Sequence, residues 1–259
     1  MTGSLKLSIS SPAKKKRTVR LSIVMPVYNE GAVIQETIKR VESSVKISHE
    51  LLIIYDMEED TTISPVKKLQ KKYPNVKLAK NKSRGALNAL KTGISEAKGD
   101  AVCIMMSDLT DDPKVLNKMV EKYNSGYDVI AASRYMKGGK QIGGPKFKQF
   151  LTRTAGLSLH YFFGLPVHDA TNSFRLYSKK FLNSIKIESD GGFELATELT
   201  VKAHFNGYKV TEVPTTWTYL EKESRFYLRK WLPKYLKWYL LAINKKFHGY
   251  PKLDVGNER

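Results

Sequence analysis

The chain has little of what several common chemistries require. It contains a single cysteine, Cys103, in 259 residues, which excludes an internal disulfide and a cysteine-based metal cluster. That usage suits a reducing compartment. No apolar run approaches the roughly 18 residues that a membrane span needs. The first residues are polar and then basic, without the apolar core of a secretory signal. Acidic residues are outnumbered, 25 Asp and Glu against 44 Lys and Arg, for a formal net charge of +19. Such an excess implies an anionic partner: nucleic acid, anionic lipid or a phosphorylated small molecule. Also missing after the first apolar run is a glycine-rich phosphate loop, whether GxGxxG or the Walker A lysine motif. That absence argues against hydride-transfer enzymes and P-loop NTPases. A diphosphate bound here needs a cation and arginines in place of backbone amides.

What is present is ordinary globular composition, with 41% hydrophobic and 27% charged residues in a chain long enough for one large domain. Short apolar runs predict strands over Leu21–Val27, Leu51–Tyr55, Val76–Ala79, Ala101–Met106 and Asp128–Ala132. Helical patterns fall between them, near Ala32–Val45, Ser64–Lys72, Gly85–Ala97 and Pro113–Tyr123. This alternation indicates βαβ units and a parallel sheet. Glycines from Met136 to Pro145 predict a loop, followed by helices over Phe147–Phe163 and Phe193–Phe205 and a strand from Lys209 to Val213.

In an open parallel sheet, ligands bind outside the carboxyl ends of the strands. Those ends carry Tyr28-Asn29-Glu30, Asp56, Arg84, Ser107-Asp108 and Ser133-Arg134, a set suited to a nucleotide, its phosphates and a cation. Asp108 is the expected oxygen ligand for Mg²⁺ or Mn²⁺. Asp111 and Asp112, directly before Pro113, read instead as acids capping the next helix.

At this point the residues resemble a family. Val24-Met-Pro-Val-Tyr-Asn-Glu30, Asp56, Arg84-Gly-Ala86, Met105-Met-Ser-Asp108 and Ser133-Arg-Tyr135 look like the motifs of family 2 glycosyltransferases with the GT-A fold. His168-Asp-Ala-Thr-Asn-Ser-Phe-Arg-Leu-Tyr177, Phe193-Glu194, Glu212-Val-Pro214 and Glu223-Ser-Arg225 continue the match in order, and the dolichyl-phosphate mannose synthase-like branch is the nearest in pattern. The resemblance implies a Rossmann-like three-layer α/β sandwich with a mostly parallel central sheet, plus a C-terminal amphipathic helical segment. It divides the chain into a flexible basic leader (1–19), a GT-A catalytic domain (20–225) and an aromatic, basic helix and tail (226–259). It also implies an inverting transfer from a nucleotide-sugar donor to a polyprenyl phosphate or a glycan hydroxyl.

By the same resemblance, Pro26, Tyr28, Glu30 and Asp56 hold the donor's base and ribose. Arg84 and Ser107 belong to the donor set, and Asp108 binds the metal. Arg134, Arg153 and Arg225 contact phosphates. Asp169 is the acceptor-side carboxylate or base, with Glu194 second and Glu198 one helical turn beyond it. Two departures matter: the usual D-x-D motif reads Met106-Ser107-Asp108, without its first carboxylate, and the customary acidic pair after the second strand reads Asp56-Met57, with Glu58, Glu59 and Asp60 close behind. A catalytically impaired donor-binding homologue and a nucleotidyltransferase are the competing readings.

From Phe226 to Phe247 aromatics alternate with lysines and arginines, and Pro233 is expected to break the segment into a turn and a longer helix. Such a helix suits either an anionic membrane interface or packing on the catalytic domain. The basic residues are spread along the chain, and acids at the strand ends repel a phosphate backbone, which argues against nucleic acid. The expected setting is cytoplasmic, with peripheral contact to the membrane face.

Overall fold

Alternation builds the first strand. In β1 (Leu21–Pro26), Leu21, Ile23 and Met25 join one apolar cluster while Val24 joins another, so both faces of the strand are buried. The computed structural model describes residues 19–192, 194–220 and 228–248, without the side chains of 228–231 and 248. The leader before residue 19, Phe193, Glu223, Arg225, Phe226, Tyr227 and the side chain of Trp231 lie outside the described residues.

Helix α1 (Ile34–Ser44) buries Ile34, Ile38 and Val41 at helical spacing. There follow β2 (His49–Tyr55), α2 (Ile63–Gln70), β3 (Val76–Lys80), α3 (Ala86–Glu96), β4 (Ala101–Ile104), α4 (Val115–Asn124) and β5 (Val129–Ser133). The second half comprises β6 (Lys140–Ile142), α5 (Lys146–Phe163), β7 (Arg175–Ser178), α6 (Lys179–Ser184), α7 (Leu195–Phe205), β8 (Val210–Pro214), β9 (Thr216–Thr218) and α8 (Leu228–His248).

Among the described residues, seven strands form one sheet in the order β3-β2-β1-β4-β7-β5-β8, with β7 alone antiparallel to its neighbours β4 and β5. One face packs on α1, α2 and α4 through Val41, Val66, Leu116 and Met119. The other packs on α3, α5, α6, α7 and α8 through Leu90, Leu159, Phe181, Leu199 and Ala242. The result is the expected three-layer sandwich. A small parallel ribbon, β6 with β9, stands beside it.

Three features depart from the sequence reading. Strand β7 was not expected, because its four residues are all buried and include Arg175, which breaks any apolar pattern. The glycine-containing loop after β5 holds β6, whose partner β9 is remote in sequence. The break expected at Pro233 is absent: α8 runs through it. Only about one turn of helix precedes the ring, so the lost i→i−4 bond falls near the helix start, where it costs least.

Candidate active site

The crevice lies where the chain changes direction across the sheet. Strand β1 has β2 on one side and β4 on the other, so the loops leaving β1 and β4 diverge above a switch point. After β1, Asn29 sits in the left-handed region at φ 56, a costly place for a residue other than glycine. Asp60 holds it there: the Asn29 amide donates to both carboxylate oxygens, each at 3.1 Å. The Thr61 amide donates back to Asn29 Oδ1 at 3.2 Å, and the Glu30 amide donates to Thr62 Oγ1 at 2.9 Å. The loops after β1 and β2 are thereby one unit, with Tyr28 exposed at its rim and Pro26 and Glu30 half-buried.

Asp56 ties in the next loop. It accepts from Asn81 Nδ2 at 2.7 Å and from the Gly85 amide at 2.9 Å. Gly85 has φ 103, a conformation glycine adopts without strain, and it opens α3. Arg84, next to it, is exposed.

On the β4 side, α1 braces the loop from below. Thr37 Oγ1 donates to the Ser107 carbonyl at 2.7 Å, and Arg40 donates to the Leu109 carbonyl at 3.2 Å. Leu109 is itself left-handed at φ 64. This strained turn presents Asp108, whose Oδ1 accepts from the Thr110 amide at 3.2 Å and its hydroxyl at 2.7 Å. Met106, in the place of the first D-x-D carboxylate, packs against the apolar cluster below.

The sequence reading of Asp111 needs correction. Asp112 does serve the start of the next helical turn, accepting from the Lys114 amide at 3.0 Å. Asp111 does not: it is buried, and its Oδ1 has no hydrogen-bond partner. Burial, then the Asp108 carboxylate, pushes its pKa up to about 8. A second carboxylate therefore reaches the site from downstream of Asp108. The sequence signal was the Asp111-Asp112 pair itself, since one cap needs only one acid.

Beside these acids stands an ion pair. Arg134 donates to Asp169 through Nε at 2.7 Å, Nη2 at 3.0 Å and its own amide at 3.1 Å. Asp169 is fully buried and also accepts from the Thr171 and Asn172 amides at 3.3 and 3.2 Å. Burial disfavours its charge, but the Arg134 guanidinium outweighs burial and holds the carboxyl below its ordinary range. With both oxygens engaged, Asp169 is placed to orient Arg134 and has little capacity to take a proton. Beneath it, fully buried Arg175 donates to the carbonyls of Asn172 and Asp169 and to Thr200 Oγ1, fastening the 169–172 turn to α7. Asp60, Asn81 and Arg175 were not anticipated as parts of the site, since each acts by holding another residue of the site through contacts that the fold creates.

Glu194, at the start of α7, is fully buried. Its Oε1 accepts from the amides of Asp190 at 3.2 Å and Gly191 at 2.8 Å, while Oε2 has no hydrogen-bond partner. Glu198 accepts from the Glu188 and Ser189 amides at 2.7 and 2.8 Å, and from Lys202 at 2.6 Å. Arg153 is exposed on α5, and Arg225 lies outside the described residues.

A mostly parallel sheet without a phosphate loop, its switch-point crevice lined by carboxylates and an oriented arginine, is the arrangement of a GT-A nucleotide-sugar fold. The family model for glycosyl transferase family 2 matches residues 22–186. The chain belongs to that family. Among curated relatives, the dolichol-phosphate mannosyltransferase of Pyrococcus furiosus is 28% identical over 203 residues, covering 76% of this chain and 56% of that protein. The polyprenol monophosphomannose synthase of Mycolicibacterium smegmatis is 27% identical, covering 88% of this chain and 89% of that one. The chain spans about half the length of several curated relatives it matches. In fold it is similar to glucosyl-3-phosphoglycerate synthase from Mycobacterium tuberculosis, solved with Mn²⁺, UDP and glucosyl-3-phosphoglycerate. There the TM-score is 0.65 at 16% identity, over 91% of this chain and 82% of the other. The same enzyme, solved with Mg²⁺ and UDP, gives 0.63.

Proposed function

We propose that this protein transfers a sugar, with inversion, from a nucleoside-diphosphate donor to a phosphate-bearing lipid acceptor at a membrane surface. The observation that carries the reading is the buried, unpartnered oxygen of Asp111 beside Asp108 in the switch-point crevice. A buried carboxylate left with an open lone pair and a like charge beside it fits a cation. Asp108 and Asp111 would hold Mg²⁺ or Mn²⁺ together with the donor's diphosphate oxygens, as such ions prefer when few protein ligands are offered. Bound there, the cation would neutralise charge on the departing diphosphate.

The chain's own residues do the rest. Pro26, Tyr28, Glu30 and Asp56 frame the base and ribose, with Arg84 and Ser107 alongside. Arg134, fixed by Asp169, stabilises negative charge on the leaving group. Arg153 and Arg225 are assigned to phosphates. A lipid phosphate is already ionised near neutral pH and needs no strong base. Were the acceptor a hydroxyl, the open Oε2 of Glu194 is the better base, since Asp169 is fully engaged. The names of the relatives in Pyrococcus furiosus and Mycolicibacterium smegmatis support the polyprenyl phosphate. For the membrane, the support is a net charge of +19 and the exposed Leu232, Leu236, Leu240 and Phe247 of α8. No helix among the described residues is long and apolar enough to cross a membrane.

The test incubates the protein with UDP-, GDP- and CDP-sugars and Mn²⁺ or Mg²⁺, with and without a polyprenyl phosphate, and follows nucleoside diphosphate release. Release from one donor, stimulated by the lipid phosphate, is the expected result. Release indifferent to the lipid would move the acceptor to a hydroxyl. Nucleotide binding without release would favour an impaired homologue, with Met106 the residue to restore to aspartate.

A further inference from the structure

Helix α8 has two faces with different partners. Tyr235, Trp238, Ala242 and Lys245 recur at helical spacing and turn inward, Trp238 and Ala242 being almost wholly buried. Leu232, Leu236 and Leu240 follow at i, i+4 and i+8 on the outer side, each about half exposed, with Lys237 and Lys246 also exposed. Neighbouring α5, joined to α8 by Tyr239 Oη donating to Ser158 Oγ at 2.9 Å, exposes Phe147, Phe150, Tyr161 and Phe162 as well. Apolar side chains with interspersed ammonium groups complement a bilayer surface carrying anionic headgroups.

The inner face grips the segment that leads into Glu194. Lys234 pairs with Asp190 at 2.8 Å. Trp238 lies under the Lys202 ammonium, 5.0 Å from the ring centroid. Lys202 in turn pairs with Glu188 at 2.5 Å and Glu198 at 2.6 Å. Ser189, Asp190 and Glu194 share a cavity of about 270 Å³ with Pro233, Lys234 and Trp238, so the segment and the helix meet without being densely packed. Tyr235 reaches further: burial and the Glu194 carboxylate both suppress its ionisation, and Arg134 and Asp169 lie within its field.

We propose that α8 is a lever between membrane and active site. A lipid surface engaging the outer leucines fixes the helix, and through Lys234 and Trp238 fixes residues 188–191, whose amides hold the Glu194 and Glu198 carboxylates. The inference rests on the membrane-surface reading above and adds to it a mechanical consequence.

The full chain is tested with phosphatidylcholine vesicles, with and without phosphatidylglycerol. Flotation reports docking. Hydrogen exchange at the amides of Glu188, Ser189, Asp190 and Gly191, all bonded to the Glu194 or Glu198 carboxylates, reports the coupling. Anionic vesicles are expected to slow this exchange by roughly threefold or more, as a local opening becomes rarer. Leu232→Ser with Leu236→Ser and Leu240→Ser loses flotation and slowing together, whereas Lys234→Gln still floats but loses the slowing. Wild-type protein that floats with unchanged exchange would overturn the lever, as would full slowing in Lys234→Gln. A triple variant that still floats would overturn α8 as the docking face. Donor turnover without vesicles is measured in parallel. Turnover without coupling rejects the lever alone, and coupling without turnover on any donor rejects the transferase reading.

Discussion

Asp169 shows how a residue's surroundings decide its role. Its resemblance-based assignment was an acceptor-side carboxylate or base, and both oxygens are taken by Arg134 and neighbouring amides, which favours a positioning carboxylate. Its carboxyl is held below the ordinary value of 3.8 despite burial. A depressed folded-state pKa adds stability above the unfolded value and loses it as pH falls through the folded one. Asp169→Asn should therefore cost about 3–5 kcal/mol in denaturant unfolding at neutral pH, the cost of breaking a buried pair from one side. The gap from wild type should close as the pH is lowered below 3.8, and a gap independent of pH would contradict an ionised Asp169. Asp111 invites a second test. Asp111→Asn should raise the Mn²⁺ concentration for half-maximal turnover by roughly tenfold, equal to about 1.4 kcal/mol. An unchanged metal requirement would return Asp111 to a structural role. From sequence, Asp108 was legible as a candidate ligand by its place at a strand end. Asp111 was not, because a pair of acids before proline is also how a helix begins.

At the scale of elements, close approach of backbones positions the site. Gly156 of α5 lies against the turn that carries Asp169: an added Cβ would stand 2.4 Å from the His168 carbonyl oxygen. Gly156→Ala should lower stability by about 1–3 kcal/mol and reduce turnover more than the lost stability explains, since α5 must retreat from that turn. Thermal melting and donor turnover on the same preparation check this, and full activity with only a lowered Tm would detach α5 from the site. Strands β1, β2, β4 and β5 were readable because their central residues are buried and their runs are apolar and short, whereas β3, at the sheet edge, exposes Lys77 and Lys80. Strand β7 was not readable, since Arg175 satisfies its charge on the carbonyls of Asn172 and Asp169 in the preceding turn and on the hydroxyl of Thr200, which the fold brings alongside. Pro233 misled for a related reason, as the penalty of a proline depends on how much helix precedes it.

For the whole molecule, the excess of 44 basic over 25 acidic residues and the leucine face of α8 make a joint demand. Docking to anionic vesicles should weaken as salt rises from about 0.05 to 0.5 M, where the Debye length falls below the spacing of surface charges. Binding indifferent to salt would assign the attachment to the leucines alone. The central claim, however, concerns chemistry at the β1/β4 crevice. Its most direct test is nucleoside diphosphate release from a matched sugar donor by wild type and Asp108→Ala, with Mn²⁺ and again with a chelator. Release that requires the metal and falls by on the order of a hundredfold or more in the variant is the predicted result. Release that survives both the chelator and the substitution would contradict it.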